Sequence, residues 1–127
     1  MNMVYQPPGS NLCGPAVVAS IAGVTLDAAI SACGKCGLTR SSHLKTGLAV
    51  FGWEVGQRKA PRCLPRVDTW LVRVAWADRK THWVILADGH FYDPAHGIDP
   101  SYSDWGGRVT SIWPILRNNN QSLHISN

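Results

Sequence analysis

Cys13, His82, Asp93 and Gln6 are the residues whose types and spacing could together perform chemistry. Cys13 stands at the start of an apolar run over residues 16–22 that is expected to be helical. The partial positive charge of a helix start and a neighbouring imidazolium both favour thiolate over thiol, which makes Cys13 a candidate nucleophile. The plain alternative is a small buried thiol, the commonest fate of a free cysteine. Gly14 behind it leaves room for a substrate backbone, and Pro7-Pro8-Gly9 ahead of it form a rigid loop. His82 opens a strand joined to His90–Asp93 by Asp88-Gly89, the strongest short hairpin signal in the chain. With those two as turn residues, Val84 faces Asp93 and His82 becomes its diagonal neighbour, at roughly 7–8 Å between backbones, a gap long side chains can bridge. Asp93 then accepts from one imidazole nitrogen while the other points toward a thiol. A three-residue loop would put Asp93 on the opposite face, and Asp before Pro94 is also a common turn entry. His90 and His96 match His82 in type but have no carboxylate so well placed. Gln6, seven residues ahead of Cys13, is either a solvated loop residue or a side-chain N–H donor. In the second role it would join the Cys13 backbone N–H in stabilising an oxyanion.

Three helices and a set of strands must position these groups. Asn11 is expected to cap the first helix, which opens at Leu12 or Cys13, takes Pro15 in its first turn and ends at Gly23. Thr25 and Asp27 open a second helix that stops at Gly34, and Ser41 or Ser42 begins a third that runs to Phe51 and Gly52. Residues 58–66, with Pro61 and Pro65, read as a loop. Trp70, Val72, Val74 and Trp76 then alternate with their neighbours at a period of two, the pattern of a strand. Further strands are expected at residues 82–87, His90–Asp93 and 108–112. Helices first and antiparallel strands after give an α+β domain over residues 1–116, its first helix packed on the sheet. Residues 117–127 are polar and read as a flexible tail.

Composition narrows the function. The chain has 127 residues, 45% hydrophobic and 16% charged, enough for one folded domain and unlike a disordered segment. Twelve Lys and Arg against eight Asp and Glu give +4 with no basic stripe, which argues against a nucleic-acid partner. The first 26 residues carry no charged side chain. A secretory signal needs Lys or Arg ahead of its apolar run, and the apolar stretch is too short to span a bilayer, so the protein is expected to be cytoplasmic and off the membrane. Cys33 and Cys36 form a Cys-x-x-Cys pair, with His43 and Cys63 downstream. A zinc site would need scattered single residues to complete it. Ordinary thiols are therefore preferred to zinc or a redox pair, and no metal or cofactor is expected.

Gln6, then Cys13-Gly14-Pro15-Ala16 opening an apolar helix, then His82-Trp83-Val84-Ile85-Leu86 and Tyr92-Asp93-Pro94 resemble a papain-like cysteine peptidase. The subgroup it looks most like is the compact peptidase domain that trims double-glycine leaders from bacteriocin precursors. The resemblance runs from Gln6 to about Pro94. It implies a papain-like fold, with Cys13 as nucleophile, His82 as general base and acid, Asp93 as orienting group and Gln6 in the oxyanion hole. The Gln-to-Cys gap is seven residues here, where the family commonly has six. Such leader peptidases are often fused to a transporter, and no membrane segment is found here, so the substrate stays open. The expectation is a thiol hydrolase that cleaves a peptide or isopeptide amide of a peptide or protein substrate. Cleavage after Gly is part of it, if Trp53, Trp70 or Trp83 wall a narrow groove rather than fill the core. The alternatives are an acyltransferase or transglutaminase with the same triad, and a non-catalytic binding module such as a phage or mobile-element antagonist of a host factor.

Overall fold

A computed structural model describes residues 1–34, 37 and 39–117. Three helices, α1 (Cys13–Ala22), α2 (Leu26–Cys33) and α3 (Ser41–Val50), precede the strands β1 (Trp53–Val55), β2 (Thr69–Trp76), β3 (Thr81–Ala87), β4 (His90–Asp93), β5 (Gly97–Ile98) and β6 (Gly107–Arg117). A 3-10 turn, Tyr102–Trp105, lies between the last two strands. The strands form one antiparallel sheet in the order β1-β6-β2-β3-β4-β5. The protein is α+β, with its helices first in the chain, as the change of period after Trp53 predicts.

Local chemistry explains the helix ends, with corrections. Thr25 caps α2 by accepting from the Ala28 N–H at 3.2 Å, and the helix closes at Gly34. Asn11 does not cap α1. The N-cap is Leu12, whose side chain has nothing to accept with, and Ser10 Oγ instead receives the Leu12 N–H at 3.4 Å. The cause lies upstream, where a turn closed by the Ser10 N–H on the Pro7 carbonyl brings Ser10 over the helix start. α3 begins at Ser41 with Arg40 as N-cap, and the His43 ring accepts the Arg40 N–H at 2.9 Å.

Strand alternation sorts side chains onto two faces. Leu71, Trp83, Ile85, Trp113 and Ile115 meet Val17, Val18, Ala29, Leu44 and Leu48 in the core between helices and sheet. Val72, Val74, Val84, Leu86 and Ile112 cover the other face and pack under Tyr102. α1 is buried along its first eight residues, as a central helix should be. No single helix among the described residues is long and apolar enough to cross a membrane.

β6 is longer than expected and runs through Pro114. The proline is tolerated because β1 ends at Val55 opposite Ile115, and Gly56 beyond it only donates, giving its N–H to the Pro114 carbonyl at 2.8 Å. Arg117 belongs to β6 and pairs with Trp53, so it is not part of a tail. Residues 118–127, the rest of the expected tail, lie outside the described residues. The loop after β1 is fastened at its start, where Lys59 bridges Ile112 of β6.

Candidate active site

Asp88 and Gly89 are the two turn residues of the β3–β4 hairpin, both at positive φ (49° and 82°). That backbone twist matches the strands, and Gly and Asp are among the residues that reach it most easily. The resulting pairs are Ile85 with Tyr92, Leu86 with Phe91 and Ala87 with His90. This register puts Asp93 on the face shared by Val84 and His82, as the sequence predicts. His82 Nε2 and Asp93 Oδ1 are 2.7 Å apart.

Asp93 is wholly buried, yet each oxygen is satisfied. Oδ1 also accepts the N–H groups of Ala95 (2.7 Å) and His96 (3.1 Å), and Oδ2 accepts the Tyr102 hydroxyl at 2.7 Å. Burial alone would raise the carboxyl pKa, but the hydrogen bonds from His82, Tyr102 and Ala95 and the charge of His82 outweigh it and hold it below the ordinary value. Burial likewise opposes charging of His82. Its hydrogen bonds to Asp93 and Cys13, and their negative charge, win and push it up to about 9. Because Nε2 is engaged by Asp93, Nδ1 is the nitrogen left for the thiol. Tyr102 is pushed up by burial and by Asp93, so it stays protonated and donates.

Cys13 is the first residue of α1, 8% exposed, and lies close enough to His82 to be among the groups that raise its pKa. No side chain caps the helix start. The Cys13 and Gly14 N–H groups precede the first intrahelical bond, from Ala16 N–H to the Leu12 carbonyl, and Pro15 has no N–H to offer. Gly14 is required by close packing, since a Cβ there would run into the Thr39 hydroxyl.

Gln6 lies with His82, Ser10, Trp76 and His96 around a cavity of about 400 Å³. Its backbone N–H bonds the Pro94 carbonyl at 3.0 Å, tying the N-terminal segment to the loop after Asp93. One side-chain N–H is given to the Ser10 carbonyl at 2.8 Å, and Nε2 carries a second. The buried Oε1 has no partner among the described residues. Gln6 is thus partly buried and held at both its backbone and its side chain.

The other candidates separate. His90 pairs with Asp99 at 2.8 Å on the surface. His96 packs at a tilt against Trp105 and lies edge-on to His82, with ring centroids 4.9 and 5.9 Å apart. Trp53 and Trp70 sit under the cations of Arg117 and Lys59, whereas Trp83 lines a second cavity, beside α3. Cys33 is a buried thiol raised to about 11 by desolvation, and Cys63 is exposed. Cys36 lies outside the described residues. Sequence reasoning missed Tyr102, which has no periodic or motif signal and reaches Asp93 only through the fold. The arrangement can hold a thiolate–imidazolium pair oriented by a carboxylate, beside uncapped helix N–H groups. No protein-family model matches the chain, and no curated protein matches it in sequence.

Proposed function

We propose that this protein is a cysteine peptidase of papain-like fold, cleaving a peptide or isopeptide amide through Cys13, His82 and Asp93. One observation carries the reading: His82 bonds the buried Asp93 carboxylate at 2.7 Å and is near enough to Cys13, the first residue of a buried helix, for the thiol to raise its pKa. In this mechanism the Cys13 thiolate attacks the amide carbon, and the carbonyl oxygen becomes an oxyanion. The Cys13 N–H and the second side-chain N–H of Gln6 stabilise that oxyanion. His82 gives its proton to the leaving amine, and the C–N bond breaks to leave a thioester. His82, now neutral, takes a proton from water, the hydroxide adds to the thioester, and the acid and the Cys13 thiolate are released. The partner is a peptide or protein in the cytoplasm.

Limited iodoacetamide labelling at about pH 6, followed by mapping of the cysteines, tests the pair. Ordinary thiols titrate near 8.5 and react slowly there. Cys13 is expected to label faster than the far more exposed Cys63, and His82→Ala is expected to remove that advantage. Labelling of Cys63 ahead of Cys13 would defeat the proposal. Cleavage of a peptide library with a primary amine present then separates hydrolysis from acyl transfer by the mass of the product.

A further inference from the structure

The cavity beside α3, of about 410 Å³, is lined by Arg40, Arg58 and Arg73 together with Thr39, Trp83 and Trp113, and among the described residues by no acidic side chain. Among the described residues none of these arginines has a carboxylate within 4.0 Å. Arg58 is held by Ser111 Oγ at 2.7 Å and by the Thr110 carbonyl at 3.4 Å, while the partly buried Arg73 has no side-chain hydrogen bond among the described residues. The Thr39 hydroxyl is buried with no partner among the described residues. A bulge between Arg73 and Val74 shifts the β2–β6 register beside this spot, the kind of irregularity that re-aims side chains next to functional sites. Three arginines line one cavity, with Arg40 and Arg58 exposed at its mouth and Arg73 partly buried, and the planar guanidinium matches the two-oxygen geometry of a carboxylate.

The position matters as much as the charge. On the sheet side, Thr81 lines both cavities, His82 belongs to the first and Trp83 to the second. On the helix side, Ser10 lines the first cavity, and Gly14 packs on Thr39 of the second. The two cavities thus share Thr81, and the chain on either side of Cys13 and of His82 reaches one cavity or the other. We propose, on the peptidase reading above, that the arginine-lined cavity is a specificity subsite for an acidic side chain of the substrate, close to the scissile bond.

Two probes that differ only in charge test this: N-acetylglutamate N-methylamide and its glutamine counterpart, titrated while the indole N–H signals of Trp83 and Trp113 are followed by NMR. The glutamate probe is expected to shift both signals saturably and to bind about tenfold tighter. Arg73→Gln and, separately, Arg58→Gln are expected to abolish the difference. Equal responses to the two probes would overturn the subsite, as would inorganic phosphate that binds more tightly than the glutamate probe. Cleavage provides the second arm, with substrates carrying Glu or Gln near the scissile bond. A tenfold preference for Glu that disappears in Arg73→Gln supports the proposal. Probe binding without cleavage of any peptide would support the acidic-group site and overturn the peptidase reading instead.

Discussion

A carboxylate with four donors is an orienting group before it is a charge. Asp93 spends one oxygen on His82 and two backbone N–H groups and the other on Tyr102, so neither the carboxylate nor the imidazole has freedom to turn. Tyr102→Phe keeps the ring that packs edge-on against Phe91, Trp76 and Trp105 and deletes only the donor. Loss of a hydrogen bond to a charged group costs about 1.5–3 kcal/mol, to be read from urea unfolding at pH 7. With that donor gone, the Asp93 pKa rises, and stability is lost at a higher pH on acidification than in the parent, because the carboxylate's contribution is present only while it is ionised. His82 has the opposite sign. Its pKa is raised from 6.5 to about 9, so the ion pair stabilises the fold fully below the unfolded value and fades as pH rises through 9. In the proposed mechanism the imidazolium also supplies the proton to the leaving amine. The alkaline limb of kcat/KM should fall near pH 9, and a limb near 6.5 would show that Asp93 and Cys13 do not hold the proton there. Asp93→Asn is expected to lower kcat/KM by about 10²–10⁴-fold, measured on a cleaved library peptide.

At the scale of elements, the site depends on one two-residue turn. A glycine inserted between Asp88 and Gly89 slips β4 by one position and sends Asp93 to the face of Tyr92. Rapid labelling of Cys13 should be lost, while Cys33, buried between α2 and α3, stays protected and reports that the helical layer is intact. Unchanged Cys13 labelling would mean that the turn does not set the position of Asp93. This dependence on a local motif is why the His82–Asp93 contact was legible in the sequence, along with the three helices and β2 to β4. β1 and β5 were not, because three and two residues are too short to show a period. β6 was cut short because Pro114 usually ends a strand, and only Gly56 across from it explains why it does not. Arg40, Arg58 and Arg73 come from a helix cap, a loop and a strand, and no local pattern joins them.

Across the whole molecule, the proposed active site is drawn from two distant stretches of chain, residues 6–13 and 82–93, and a strap at the N-terminus fastens them. Val4 gives its N–H to Ser20 Oγ at 2.9 Å, and Ser20 in turn bonds the Ala16 carbonyl at 2.8 Å, so the strap is tied to α1. Two residues on, the Gln6 N–H bonds the Pro94 carbonyl and ties the same strap to the loop behind Asp93. The helix that carries the thiol and the hairpin that carries the imidazole are thus joined by core packing and by this crossing segment. Ser20→Ala removes the hydroxyl and leaves the Val4 N–H without its acceptor, at a cost of about 1–3 kcal/mol in thermal or urea unfolding. The chemical consequence is selective. Cys13, His82 and Asp93 keep their own contacts, so the iodoacetamide rate at pH 6 should stay close to that of the parent. Gln6, no longer held from behind, should lose its aim at the oxyanion, and kcat should fall with KM little changed. A fall in both labelling and turnover would show instead that the strap also positions the thiol.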